Sequence, residues 1–259
     1  MTDRDLPRLM GSGQPPRAPG DLQSMLLIAR RGAVEALRDR MTLFVSLFFA
    51  LVFPVGLVLT TVRPLADANG PSALGSLLAM YLLIIGLLPS SAAIGIASGQ
   101  FAGEKEQGNL TPLLASPASN LAIFGGKVLG SVAPAIVFSV VAEAAYLGSL
   151  AVAVGTDRLR LLPVGLAVGM VALVPAAALF ETAVASLISS RVRTFNTAQQ
   201  ISGLALVPFW GAIAALGFGL RSLGGLAVVV AVVALFAADI ALTMIAAATW
   251  RREEVLAQR

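Results

Sequence analysis

Six long apolar runs decide what this chain can fold into. Each run holds 21 to 29 residues with at most one charge, and about 20 apolar residues suffice for a helix to cross the hydrocarbon core of a bilayer. The runs cover residues 41–62, 74–101, 128–154, 161–189, 198–218 and 223–250. The last two runs are interrupted only within the stretch GFGLRSLGG, residues 217–225, so the sequence leaves open whether that hairpin spans fully or is partly re-entrant. The pattern predicts an all-α polytopic membrane protein with six transmembrane helices.

The composition narrows the chemistry available to such a protein. Only 12% of the 259 residues are charged, against about 25% in a soluble domain, and the mean hydropathy is +0.87. The chain has no cysteine and no histidine, which excludes disulfides, thiolate chemistry, His-ligated metals and imidazole general bases. We therefore expect no catalytic residue and no metal site. The high isoelectric point, near 10.3, reflects arginines at the membrane edges and does not predict nucleic-acid binding.

The distribution of basic residues predicts the orientation of the chain. Fourteen of the eighteen Lys and Arg residues lie in residues 1–40, in the loops after runs two and four, and in residues 251–259. Basic residues are enriched in loops that stay in the cytoplasm, so both termini are expected on the cytoplasmic side of the cell (inner) membrane. Residues 1–21 and 251–259 are expected to form cytosolic tails, the first of them flexible and rich in Pro and Gly. Residues 41–250 are expected to form the transmembrane domain.

A segment with helical periodicity precedes the first run. In residues 22–40, apolar side chains recur on one face of a helix, whereas Arg30, Arg31 and Arg38 occupy the other faces. The apolar face consists of Leu22, Met25, Leu26, Ala29, Ala33, Ala36 and Leu37. The pattern predicts an amphipathic interface helix whose arginines point toward lipid phosphates or a partner protein. A helix that only anchors the topology is the simpler alternative.

The stretch GEKEQGNLTPLLASP, residues 103–117, is predicted to face the cytoplasm between runs two and three. Gly108 is placed to end one helix, and the next helix carries a small apolar ridge of Leu110, Leu113 and Leu114. A helix this short is not stable alone in water. We therefore predict a short cytoplasmic helix that packs into a groove of another protein.

Three carboxylates lie inside the apolar runs: Glu143, Glu181 and Asp239. Ionisable groups within a bilayer are costly and normally face protein or water. These three are candidates for a cation or proton pathway, and the alternative is that each is buried and hydrogen-bonded to a neighbouring helix. Gln199 and Gln200, at the start of run five, fit substrate contact, helix capping and hydrogen bonding between helices equally well.

In their order along the chain, these features resemble the permease subunits of type-2 ABC exporters, the class that includes Nat-type sodium-efflux and drug- or lipid-exporting permeases. The similarity covers nearly the whole chain, from the RDR at the edge of the first run to the closing WRREEVL. The family's Glu-x-Glu-x-Gly segment, with the Leu-Leu, Ser-Pro and Gly-Lys that follow it, is matched by Glu104, Glu106, Gly108, Leu110, Leu113, Leu114, Ser116, Pro117, Gly126 and Lys127. The chain departs from the family at NLTP, residues 109–112, where Thr-Leu-Glu is more frequent.

The resemblance implies a division of labour. Two permeases, identical or related, form one pathway above a dimer of separate ABC ATPase subunits. Residues 104–117 then contain the coupling helix, which rests in a cleft of the ATPase, and the interface helix braces the same surface. The only Gly-Lys pair, in FGGKV, lacks the following Ser or Thr and the earlier Gly of a P-loop. ATP and Mg are therefore expected on the partner ATPase, and this chain is expected to bind no cofactor directly and to be no enzyme.

Two other classes of function are compatible with the sequence. One is an ion-coupled secondary transporter that uses the intramembrane carboxylates, although the chain shows no clear internal repeat of the kind such transporters carry. The other is a membrane scaffold or sensor whose cytosolic parts only bind a partner. Sodium, a drug, a peptide and a lipid all remain candidate substrates, and the partner permease is either an identical copy or a related chain.

Overall fold

The computed structural model describes residues 20–68, 71–109 and 116–250. Across these residues the chain is helical and contains no strand, which confirms the all-α prediction. Six helices are long and apolar enough to cross a membrane, and we call them spans one to six. They are Arg40–Asp67, Leu74–Glu106, Asn120–Ala153, Val164–Arg191, Phe195–Leu216 and Leu226–Thr249. Each predicted run corresponds to one span.

Span three departs most from the sequence prediction, because it begins at Asn120 and not at residue 128. Ser119 precedes it with an extended backbone, and its hydroxyl accepts a hydrogen bond from the Ala122 N–H at 3.1 Å, which caps the helix. The N-terminal helix lies against the face of these first turns that carries Gly125, Gly126 and Gly130. The glycines lower the mean hydropathy of this stretch, and they allow the two helices to pack closely.

The N-terminal helix, Asp21–Arg38, meets span one at a sharp corner. Asp39 has an extended backbone (φ −73°, ψ 112°), and its carboxylate accepts hydrogen bonds from the Thr42 hydroxyl at 2.5 Å and the Thr42 N–H at 2.9 Å. These hydrogen bonds hold the pKa of the Asp39 carboxyl below its usual range, and the bond from the Thr42 hydroxyl has the larger effect. Asp39 therefore both ends the N-terminal helix and caps span one.

Spans five and six form an antiparallel hairpin. Residues Phe195–Thr249 are helical throughout, yet the first and the last residue of this stretch both contact residues at the same end of the bundle. The Phe195 N–H donates to Glu106 at 3.0 Å, and Thr249 accepts from Arg191 at 3.3 Å. The chain must therefore reverse between spans five and six. We call this end of the bundle, where both chain termini are attached, the inner end, because the sequence predicts that it faces the cytoplasm.

The core of the bundle lies between spans two, three and four. Its largest fully buried side chains include Leu78, Leu82 and Ile85 of span two, Tyr146 of span three and Leu173 of span four. Tyr146 donates its hydroxyl to the Leu78 carbonyl at 3.2 Å, which satisfies a polar group in the apolar interior. Spans one, five and six are mostly exposed around this core. The central spans therefore form the frame that positions the inner end.

Candidate functional site

Span two ends in a well-defined stop at the inner end. Its last turn before Glu104 is a wide π-helical turn, Gly99–Gly103. The helix closes at Gly108, whose φ of +71° is a left-handed conformation that favours glycine. The Gly108 N–H donates to the Lys105 carbonyl at 3.0 Å and the Asn109 N–H to the Glu104 carbonyl at 2.8 Å. This pair of hydrogen bonds is a Schellman motif, and it fixes where the following segment leaves the helix.

Glu104 joins span two to span three through Lys127. The Glu104 Oε2 and Lys127 Nζ atoms are 2.7 Å apart, and the same ammonium donates to the Gln100 carbonyl and lies 5.0 Å from the centre of the Phe101 ring. Lys127 is only 2% exposed. Removing one partner of a fully buried ion pair costs about 3–5 kcal/mol, because the other charge is left uncompensated. The Glu104 side chain is 22% exposed, so the lower end of that range applies here. This link is therefore difficult to open.

An aromatic cluster extends the same junction to span six. The Phe101 ring lies 4.9 Å from Phe124 and 5.9 Å, edge-on, from Trp250. The Asn120 side chain donates to the Trp250 carbonyl at 3.2 Å. Spans two, three and six are therefore packed together at the inner end.

Lys105 and Glu106 reach the connection between spans four and five. The Lys105 ammonium donates to the Ser190 carbonyl at 2.5 Å and to the Val192 carbonyl at 3.3 Å. Glu106 accepts from the Phe195 N–H at 3.0 Å. Glu106 is exposed and Lys105 half-buried, and a hydrogen bond in such a setting contributes only about 1 kcal/mol net, or somewhat more when one partner is charged. These hydrogen bonds are easier to break than the ion pair at Lys127.

Glycines bring the N-terminal helix into direct contact with span three. A Cβ atom at Gly126 would lie 2.8 Å from the Met25 carbonyl oxygen, and one at Gly130 would lie 2.8 Å from the Ala29 carbonyl oxygen. Both obstacles are backbone atoms, so larger residues there would push the helices apart. The glycine of the FGGK stretch therefore serves helix packing.

A cleft of about 510 Å³ opens between the N-terminal helix and the end of span two. Its walls include Arg31 and Glu35 on one side and Gln100, Glu104 and Lys127 on the other. Two positive and two negative side chains face each other across it, so the cleft has no strong preference for an anion or a cation.

The predicted coupling residues fall into two groups. Glu104, Glu106 and Gly108 lie within the described part of the chain, and both carboxylates bind other spans of this chain. Leu110, Leu113 and Leu114 lie outside the described residues.

The apolar face predicted for the N-terminal helix is divided. Its small and flexible residues, Met25 and Ala29 among them, face span three, whereas Leu22, Leu26 and Leu37 are 66%, 56% and 44% exposed. The sequence pattern does not distinguish the residues that face span three from the exposed leucines. Packing against span three depends on side-chain size, whereas the pattern depends only on polarity. The three predicted arginines are exposed.

Arg31 pairs with Glu35 one turn along the same helix, at 2.9 Å. The hydrogen bond to Glu35 raises the pKa of the Arg31 guanidinium. Arg30 and Arg38 lie on the exposed surface of the same helix. Their charges are therefore accessible to lipid headgroups or to another protein.

Glu143 lies in a hollow on span two that a glycine creates. A Cβ atom at Gly86 would lie 2.6 Å from Glu143 Oε1 and 2.6 Å from a methyl group of Val174. Glu143 is 5% exposed, and its Oε1 atom has no hydrogen-bond partner among the described residues. The carboxyl group thus fills a space between spans two, three and four.

Glu181 faces the same side of span two one turn away. Ser90, four residues after Gly86, donates its hydroxyl to Glu181 Oε2 at 3.2 Å. Glu181 is fully buried, and the Trp210 side chain of span five is a further hydrogen-bond neighbour of its carboxyl group. Spans three and four therefore each present one carboxyl group to span two.

Two contacts fix the register of spans four and six, which run in the same direction. A Cβ atom at Gly169 would lie 2.7 Å from Val228, and Arg191 donates to Thr249. Residues of the two spans therefore lie side by side at an offset of 58 or 59 positions from one end to the other.

That offset places Asp239 of span six at the depth of Glu181. Asp239 is 5% exposed, and neither of its carboxyl oxygens has a partner among the described residues. Its position on the helix, eleven residues or about three turns after Val228, directs it to the face that packs on the bundle. Three spans thus carry buried acidic groups near one another in depth.

The two glutamines of span five, Gln199 and Gln200, are both exposed. A Cβ atom at Gly95 of span two would lie 3.6 Å from Gln199 Nε2, and one at Gly99 would lie 3.8 Å from the Phe195 ring. Gln199 therefore lies opposite the glycine face of span two.

Sequence reasoning missed Lys105 and Gln100 as members of this site. A lysine between two motif glutamates is typical of a solvated charge, and its acceptors are carbonyls 85 and 87 residues away. Gln100 is covered by the N-terminal helix, where a Cβ atom at Gly32 would lie 2.5 Å from its Nε2 atom. The sequence signal that pointed to this site was Lys127, which belongs to the Gly-Lys of the family motif.

The fold and the site define a polytopic helical membrane transport subunit whose inner end carries a Glu-x-Glu-x-Gly segment tied to several spans. The family model of the ABC-2 type transporter matches residues 23–212, from the N-terminal helix into span five. The chain therefore belongs to the ABC-2 type transporter family and is a type-2 ABC permease. A search among curated proteins finds no significant match.

Proposed function

We propose that this chain is the permease subunit of an ABC exporter, working with a separate ATPase dimer that binds ATP and Mg. The observation that carries the proposal is the attachment of three consecutive residues, Glu104, Lys105 and Glu106, to spans three, four and five. A segment anchored in this way passes any displacement to the centre of the bundle. Family membership supplies the transport role, and the lack of a P-loop in the sequence supports ATP hydrolysis on another chain.

The ridge of Leu110, Leu113 and Leu114 is the surface that docks into the ATPase. The described residues on both sides of it are firmly held, by the helix stop at Gly108 and by the Ser119 cap of span three. Closure of the ATPase dimer then pulls on the residues between Gly108 and Ser119, both of which are held by hydrogen bonds.

The inner end faces the cytoplasm of the cell membrane, with both termini on that side. The N-terminal helix there buries its small residues against span three and leaves Leu22, Leu26 and Leu37 exposed. These leucines enter the lipid boundary, and Arg30 and Arg38 meet the phosphates, since an interfacial helix places apolar and basic groups in this way.

Glu143, Glu181 and Asp239 line the polar part of the pathway, with Gln199 and Gln200 at its inner entrance. Unpaired carboxyl oxygens in a bilayer are costly, and such groups normally face a route for ions or polar groups. A second permease, identical or related, completes the pathway.

The test begins with affinity purification of the full chain from its native membranes. We expect an ABC ATPase to co-purify, and its ATP hydrolysis in proteoliposomes to depend on this chain. Replacing both leucines, Leu113→Asp and Leu114→Asp, should remove that dependence while the protein still inserts, and Leu113→Ile with Leu114→Ile should retain it. Unchanged stimulation by the aspartate variant would reject the docking role.

The buried carboxyl groups favour one second candidate, an ion-coupled secondary transporter. Proteoliposomes that contain this chain without an ATPase separate the two. Ion flux driven by a gradient, and abolished by Glu143→Gln or Asp239→Asn, would support the secondary transporter, whereas its absence together with ATPase stimulation supports the permease.

A further inference from the structure

We infer that Lys105 and Glu106 act as a clamp that makes the start of span five move together with the coupling segment, residues 104–117. This inference rests on the proposed function. Lys105 and Glu106 are positioning residues, since they act by holding the connection between spans four and five, residues 192–194, against the end of span two.

The charges of the clamp match the two helix ends that they contact. Lys105 donates to carbonyls of Ser190 and Val192, where span four ends, and Glu106 accepts from the N–H of Phe195, where span five begins. The last carbonyls of a helix carry partial negative charge and the first N–H groups partial positive charge. One lysine and one glutamate side by side therefore hold both ends of the connection at once.

The connection itself has little freedom between these two attachment points. Only residues 192–194 separate spans four and five. The Thr194 hydroxyl accepts from the Thr197 N–H at 3.3 Å and is 2.7 Å from the Thr197 hydroxyl, so span five is capped as well as clamped.

Spans two and five then stay together for two further turns. Gly99 lies opposite the Phe195 ring and Gly95 opposite Gln199, where an added Cβ atom would come within 3.8 Å and 3.6 Å of them, so the two helices run close together along this face. The clamp and this glycine face form one continuous contact, so the end of span two and the start of span five have the geometry of a single unit.

Glu104 binds a different part of the bundle, span three with the N-terminal helix that packs on it. Its partner Lys127 belongs to span three, where the N-terminal helix also packs. Loss of Lys105 and Glu106 leaves this part intact, so the clamp is separable from the anchoring of the segment as a whole.

The chain has no cysteine, which allows cross-linking without background. The pair Gly99→Cys and Phe195→Cys reports on the span two–span five contact, because the Phe195 N–H that binds Glu106 belongs to the backbone and is retained. The full chain, assembled with its co-purified ATPase, is treated with a short bifunctional thiol-reactive cross-linker. The reaction is run in two states, without nucleotide and after trapping with ATP and vanadate.

We expect equal cross-linking of this pair in the two states. In the background Lys105→Met with Glu106→Ala, cross-linking in the trapped state should fall by about fivefold for each hydrogen bond that the substitutions remove. Lys105→Arg with Glu106→Gln, which keeps a donor and an acceptor, should restore it, and Gln107→Ala is the control for a neighbouring change. Separation of the pair in the trapped state without clamp variants would overturn the inference, as would unchanged cross-linking in the clamp variant.

Failure of the proposed function gives a different result. In that case no nucleotide is trapped and no ATPase stays bound, whatever the cross-linking yield, and both proposals are rejected together. If the clamp variant is unstable, its thermal unfolding midpoint falls, and the single variant Glu106→Ala, which removes only the acceptor for the Phe195 N–H, decides the question by the state dependence of its cross-link.

Discussion

Lys127 and Glu104 lie 2.7 Å apart at the inner end of the bundle, and the lysine is almost completely buried. The pair contrasts with Arg31 and Glu35, which are 2.9 Å apart on the exposed face of the N-terminal helix. The two pairs have nearly the same length and very different surroundings. Burial, and not distance, decides what each contributes to stability.

Lys127→Met should lower the free energy of unfolding by about 3 kcal/mol, since Glu104 and the Gln100 carbonyl lose their shared donor. For a chain of this size that corresponds to a fall of roughly 6–12 °C in Tm. Thermal unfolding in detergent measures it. Arg31→Met, the matched change in the exposed pair, should cost less than about 1 kcal/mol, and equal losses for both variants would contradict the assignment of a buried pair.

Gly126→Ala should destabilise the chain by about 1–3 kcal/mol, because the added methyl group meets the Met25 backbone. The N-terminal helix should detach, and the amides of residues 21–38 should exchange with deuterium faster. Gly148→Ala makes the same change in the same span where nothing lies within 4 Å. That control should be neutral or should stabilise by up to about 1 kcal/mol, so a similar loss at both sites would count against the packing argument.

Gly86→Ala should perturb Glu143 and Val174 together. Its Cβ would lie 2.6 Å from an atom of each, so the effects of Gly86→Ala and Glu143→Ala should not add. Neighbouring residues of this kind show interaction energies of about 0.5–3 kcal/mol in a double-mutant cycle. Gly56→Ala in span one, which meets nothing within 4 Å, should combine additively with Glu143→Ala. Additivity in both cycles would show that the glycine hollow does not hold the carboxyl group.

The Asp39 cap should make stability fall at acidic pH. The Thr42 hydrogen bonds lower the pKa of Asp39 in the folded chain, so the contribution of the cap is complete above the unfolded value, about 3.9. It is lost as the pH falls through the lower folded value. Asp39→Ala should cost about 0.5–2 kcal/mol at neutral pH and should flatten this part of the pH profile. Asp39→Asn keeps a cap without a charge, so its profile should be flat with most of the stability retained.

Hydropathy predicted five of the six spans to within a few residues at their inner ends, because the bilayer imposes length and polarity on each helix. It placed the start of span three eight residues late, because Gly125 and Gly126, which lie against the N-terminal helix, lower the local hydropathy. The coupling role predicted for the motif glutamates stays a prediction, and what the sequence did not indicate is that Glu104 and Glu106 bind Lys127 and Phe195 of the same chain. Pairings over such separations depend on how the spans are arranged, which periodicity does not encode.

The wide turn Gly99–Gly103 determines which neighbours the next three residues meet. A π-helical turn holds one residue more than a regular turn, and one residue corresponds to about 100° of rotation around a helix axis. In an unbroken α-helix, Glu104, Lys105 and Glu106 would each be rotated by that amount, and the glutamate now beside Lys127 would face another neighbour. A single additional residue upstream therefore assigns each of three adjacent charges to its own helix.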